Sequence, residues 1–164
     1  PNIDYTTAEK RFQDVLNRNT LAEDEEKAYA YMYLAKIKLK NNKIEEAITL
    51  LDESEKLSDN FPYKYEVLSD FFYEKRDVAM SKKYYTLLVS WLDNKINEIK
   101  SGSFNILNLT STTSYSYASG QNLREYLDMY NPKLEKSKRE ELYLKYLLSR
   151  KIFAHKRLNE IKRL

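Results

Sequence analysis

The chain has 164 residues, enough for one domain or a short repeat array, yet only 2 are Gly and 3 are Pro. Two glycines cannot furnish a glycine-rich phosphate loop, and with no Cys and one His, His155, disulfides, zinc–thiolate sites, thiol nucleophiles and His-rich metal sites are excluded. The net charge of +3 is uneven: residues 1–100 carry −3, residues 101–132 carry −1 and residues 133–164 carry +7, a mildly acidic body with a basic C-terminal end.

No apolar run reaches the ~18 residues of a membrane span. The chain begins with Pro1 and shows no signal-peptide pattern, so it is expected to be a fragment of a longer protein. Compartment stays open between cytoplasm and a bacterial periplasm or envelope. Abundant Lys, Asn, Tyr and Ile fit an AT-rich genome of bacterial type. Charged residues at 32% with few helix breakers favour an all-α fold.

The expected helices are, in chain order, 4–18, 22–41, 44–57, 62–75, 78–100, 121–130 and 134–163. The first carries Asp4, Tyr5, Ala8 and Phe12. Asn42 followed by Glu45 reads as a capping box opening the third. Pro62 suits the first turn of the fourth, and Asp77 suits the N-cap of the fifth. From Ser101 to Leu123 no residue is charged. That stretch reads as a surface loop or insertion, or else as a packed segment anchored by Phe104, Ile106, Leu107 and Leu109 with Tyr115 and Tyr117 opposite. Asn131-Pro132 ends the sixth helix, and the seventh has a broad apolar face including Leu144, Leu147, Leu148, Ile152, Ala154, Leu158 and Ile161.

An internal period runs through the first hundred residues. Tyr31, Leu34, Ala35, Ala47, Leu51 and Leu57 are followed 34 residues later by Tyr65, Leu68, Ser69, Ser81, Tyr85 and Trp91. Large positions stay large and small positions stay small. Small residues let two antiparallel helices approach, and the large ones fill the space between them. Asp4, Tyr5, Ala8 and Phe12 match the second half of the unit. On these residues the chain resembles the tetratricopeptide repeat family in divergent form, with Asn42 and Arg76 where a turn Gly is customary and Lys38 where an aromatic is customary.

The resemblance implies an all-α, tetratricopeptide-like helical-hairpin solenoid. A half repeat would cover 4–20 and whole repeats 28–61 and 62–95, within a region 1–100. A loop or insertion would follow over 101–120 and C-terminal capping helices over 121–164. It also implies a scaffold or adaptor whose concave groove binds a partner protein or peptide. Mapped by position, the groove holds Tyr29, Met32, Lys36 and Lys40, then Tyr63, Glu66, Asp70 and Tyr73. Met32 and Val67 stand where the carboxylate-clamp subclass places polar residues, so no such clamp is expected.

No catalytic constellation emerges, and no enzymatic activity, cofactor, metal or small-molecule substrate is expected. Acid pairs such as Glu45/Glu46 and Asp52/Glu53 read as solvated helix faces. The alternative function is nucleic-acid or anionic-membrane binding through the basic patch Lys151, Lys156, Arg157, Lys162 and Arg163. A pI near 8.8 is modest for that role.

Overall fold

A computed structural model describes residues 5–17, 24–109, 125 and 128–164. Among these residues the protein is all-α. The helices are α1 (Thr6–Asn17), α2 (Asp24–Lys40), α3 (Ile44–Leu57), α4 (Tyr63–Glu74), α5 (Val78–Lys100) and α6 (Lys136–Ile161), with a 3-10 turn at Ile106–Asn108. The helix expected over 121–130 falls mostly outside the described residues, as do Tyr115 and Tyr117. The chain divides into two compact units, Pro1–Val67 and Leu68–Leu164, with the boundary inside α4.

In the first unit α2 is the central helix, packed against α1 and α3. It buries Ala28, Ala30, Met32, Leu34, Ala35, Ile37 and Leu39. Those positions go round most of the helix, which is how a core helix rather than a surface helix looks. Ala35 and Ala47 have no exposed surface, so α2 and α3 approach closely there. The buried Ser54 hydroxyl donates to the Ala28 carbonyl at 2.7 Å, a further tie between the same two helices. By contrast α1 buries no residue fully. Its best anchor is Phe12, stacked on Tyr33 of α2 with ring centroids 4.9 Å apart.

In the second unit α5 packs along α6. Tyr84, Tyr85, Leu88, Leu92 and Ile96 of α5 are buried, as are Tyr143, Tyr146, Leu147, Ala154 and Ile161 of α6. Phe104 lies 5.1 Å from the Tyr143 ring, centroid to centroid. Of the anchors expected in the uncharged stretch, Phe104, Ile106 and Leu109 are buried, whereas Leu107 is exposed. Arg139 explains how that backbone is held. This buried guanidinium donates to the carbonyls of Met129 at 2.6 Å, Leu109 at 3.0 Å and Ile106 at 3.4 Å. Burial holds its pKa below the ordinary arginine value.

The helix ends correct one sequence expectation. Asn42 does not open α3. It closes α2 in the left-handed region, at φ 57°. The Asn42 amide donates to the Leu39 carbonyl at 2.9 Å and the Lys43 amide to the Lys38 carbonyl at 2.9 Å. This is a Schellman closure, which satisfies the last carbonyls of a helix through one left-handed residue. Lys43 is then the N-cap of α3, with no side-chain cap bond. The same closure recurs 34 residues later. Arg76 has φ 59°, its amide donates to Tyr73 at 3.0 Å, and the Asp77 amide donates to Phe72 at 2.9 Å. Here the expected cap is present: the Asp77 carboxylate accepts from the Met80 amide at 3.0 Å.

Candidate partner-binding surfaces

The eight residues mapped to a groove fall into three groups and do not form one exposed stripe. Met32, Tyr63 and Glu66 are 0%, 2% and 2% exposed, so none of them faces a partner. Met32 is buried because α2 is covered round most of its circumference. Tyr63 is buried because its ring stacks on Phe61 at 5.6 Å and its hydroxyl donates to Glu25 at 3.5 Å. Spacing along a helix fixes which residues share a face, but not how many faces the neighbours cover.

Around Glu25 the first unit holds a compact polar clasp. Glu25 itself is buried and accepts a hydrogen bond from the Ser58 hydroxyl. Burial raises its pKa above the ordinary carboxyl value, Ser58, Asn60 and Tyr63 pull it down by hydrogen bonding, and nearby Asp59 adds to the rise. The clasp ties the start of α2 to the segment joining α3 and α4. Sequence reading missed it, since an acid in the first turn of a helix ordinarily faces solvent.

The remaining groove residues of α2 reach the surface. Tyr29 is half-buried and lies 4.7 Å from the Tyr33 ring, and the exposed Lys36 ammonium stands 5.3 Å from that same ring. Lys40, also exposed, lies 5.9 Å from the Tyr5 ring. Phe12, Tyr29, Tyr33 and Lys36 thus make a continuous aromatic strip ending in a cation. Tyr33 was missed, although its i+4 spacing from Tyr29 was legible. Lys38 has a structural task beside this strip: it reaches Glu9 of α1 at 3.2 Å and Glu46 of α3 at 3.3 Å. Hydrogen bonds to Glu9 and Glu46 raise its pKa above the ordinary lysine value.

In the second unit, Asp70 and Tyr73 belong to a hydrogen-bonded network. The Tyr85 hydroxyl donates to Asp70 at 2.6 Å and the Tyr73 hydroxyl to Glu160 at 2.9 Å. Arg157 lies over the Tyr73 ring at 4.3 Å and pairs with Glu160 at 3.0 Å. Burial, then the neighbouring Asp70 carboxylate, pushes the Tyr85 hydroxyl far above the usual phenol value. The hydrogen bond from Tyr73, then that from Arg157, holds Glu160 below the usual carboxyl value.

The predicted basic patch is also divided. Lys151 pairs with Asp93 of α5 at 2.5 Å, and Arg157 is held in the Tyr73–Glu160 network. Lys156, Lys162 and Arg163 are exposed. His155 is exposed too. Among the described residues there is no cluster of three or more His, Asp or Glu able to hold a metal ion, and no helix is long and apolar enough to cross a membrane.

The chain matches no protein family, and neither a curated protein nor a solved structure resembles it at a significant level. The residues and their geometry therefore carry the functional argument alone.

Proposed function

We propose that the chain is a tetratricopeptide-like repeat module that binds a partner protein or peptide. One observation carries this reading: backbone and burial both recur at a 34-residue offset. The Schellman closures at Asn42 and Arg76 repeat bond for bond. Burial repeats as well. Leu34, Ala35, Ala47 and Leu51 are buried, as are Leu68, Ser69, Ser81 and Tyr85. Tyr31 and Tyr65 are both half-buried, as are Leu57 and Trp91. Arrays of such units serve as binding surfaces.

The recognition surface favoured here is the α2 strip of Tyr29, Tyr33 and Lys36. Tyrosines offer rigid amphipathic area, and a cation at the strip's end sets orientation. The buried Met32, Tyr63 and Glu66 are withdrawn from the binding set. Nucleic-acid binding is disfavoured, because the engaged Lys151 and Arg157 leave a patch smaller than the sequence suggested.

The experiment is affinity capture from a native extract with the chain as bait, read by quantitative mass spectrometry. Wild type is compared with Tyr29→Ala/Lys36→Glu. Both residues lie outside the core, so the variant is expected to fold. At least one protein captured by the wild type is expected to be lost. Identical capture by both baits would remove the α2 strip as the recognition surface.

A further inference from the structure

Helix α6 has two opposed faces, and only one is accounted for by the fold. Arg139, Tyr143, Tyr146, Leu147, Ala154 and Ile161 are buried on its inner side. At 100° per residue these positions cluster within one sector. Diametrically opposite run Glu141, Lys145, Leu148, Ile152, His155 and Asn159, spaced alternately by four and three residues. That alternation is the heptad spacing of a helix seam. All six residues are exposed. At the middle of the stripe, Leu148 is 40% and Ile152 72% exposed, one turn apart. A terminal helix that merely capped the fold would place polar residues there.

Cations predominate along one border of this seam. Lys138, Lys156 and Arg163 line one border, by the same angular reckoning, next to Lys145 on the seam itself, and all four are exposed. Lys138 is offset by Glu141 at 3.2 Å and Lys145 by Glu125 at 2.8 Å. Lys156, Lys162 and Arg163 are in none of the ion pairs found among the described residues, although Lys156 lies near enough to Glu160 to help lower the pKa of that carboxyl. We infer that the outer seam of α6 docks an acidic amphipathic helix of a partner protein, its apolar side on Leu148 and Ile152 and its carboxylates along the lysine border.

Charge complementarity selects this occupant. A second copy of α6 would bring the same cations together, at a repulsive cost. A lipid surface would need a broad apolar face to insert, and the broad face of α6 is already packed on α5. Nucleic acid would use the cations but gain nothing from Leu148 and Ile152, and no Tyr or Phe lies on the seam for bases to stack on. This surface uses none of the residues of the α2 strip and goes beyond the function proposed above.

The probe is a labelled synthetic helix of roughly three heptads with Leu at the seam positions and Glu flanking them. Fluorescence anisotropy follows its binding to the full chain. Saturable binding is expected, weakened about tenfold by Leu148→Ser/Ile152→Ser. Charge reversal with Lys145→Glu/Lys156→Glu is expected to weaken the acidic probe and improve a Lys-flanked version. The α2 variant Tyr29→Ala/Lys36→Glu is expected to bind the probe like wild type, so failure of one surface is told apart from failure of the other. Several results would overturn the inference. One is equal affinity for a probe with Ser replacing every Leu. Another is an affinity untouched by the Leu148 and Ile152 changes. Tighter seam-dependent binding to phosphatidylserine vesicles or to poly(U) would assign another class of partner. Sedimentation showing a dimer that the double substitution dissolves would assign a second copy.

Discussion

Residues 57–62 and 91–96 stand 34 positions apart and begin alike. Each opens with a large apolar residue, Leu57 or Trp91, and each contains an Asp-Asn pair, Asp59-Asn60 or Asp93-Asn94. They end differently, with Phe61-Pro62 in one and Lys95-Ile96 in the other. The helix ends differ accordingly. α3 stops at Leu57 and Ser58 is extended, whereas α5 runs on to Lys100, where Gly102 at φ 76° closes it. Proline lacks the amide a continuing helix needs, clashes with the carbonyl four residues back and disfavours helical geometry just before itself. Where α3 stops, the Ser58 hydroxyl needs a buried partner and finds Glu25. Where α5 continues, Leu92 and Ile96 extend its apolar face and are buried. One residue thus decides both the length of a helix and whether a tertiary clasp is required.

The sharpest way to break this contrast is to give the second segment the proline of the first. Ile96→Pro is expected to end α5 about two turns early, and to destabilise by about 3 kcal/mol more than Ile96→Ala. Urea unfolding would measure the difference, and far-UV circular dichroism the shortened helix. Equal losses for the two variants would mean that the proline is not the stop signal.

Equivalence of the two small pairs is tested by overpacking. Ala47 and Ser81 are equally buried. Ala47→Leu and Ser81→Leu are each expected to cost on the order of 1–3 kcal/mol. Thermal melts of the two variants are expected to fall together. If one drops and the other matches wild type, the 34-residue equivalence fails at that position.

The clasp makes a pH prediction specific to the first segment. Glu25 has its folded pKa raised by burial. Between the unfolded and folded values the folded state holds the extra proton, so stability falls as pH rises through the folded value. Glu25→Gln removes that loss. The melting temperature of the variant is expected to exceed wild type near neutral pH, with the gap closing on acidification below the ordinary carboxyl value. Parallel pH profiles for the two proteins would show that Glu25 does not titrate in this range.

The smallest effects concern the two left-handed closures. Asn tolerates positive φ better than Arg does, because its short polar side chain bonds locally. Arg76→Gly is therefore expected to stabilise by up to about 1 kcal/mol, and Asn42→Gly by only a few tenths. Chemical denaturation of both variants would rank them, and the reverse ranking would place the strain at Asn42.

Much of the fold was legible because it rests on local rules. Six of the seven expected helices appear within two residues of their anticipated bounds at each end. Asp77 caps α5 because a short carboxylate beside free amides needs no distant partner. Asn42 was misread because Asn serves equally at a helix start and in a left-handed closure, and only the backbone reveals which. The candidate surface was less legible. Tyr29 and Lys36 reach solvent, while Met32, on the same helix at the same spacing, does not.

The sequence by itself determined where the helices run, which positions stay small, and how charge divides between the body and the C-terminal end. Each is a matter of neighbours along the chain or of composition. The tertiary structure alone decided that Met32, Tyr63 and Glu66 are covered, that Glu25 fastens the end of α3, and that Arg139 is spent on three backbone carbonyls. It also decided that Leu148 and Ile152 stay bare on α6 while Leu147, Ala154 and Ile161 of the same helix are buried. Exposure depends on every element packed around a side chain, and residues distant in sequence supply most of those elements.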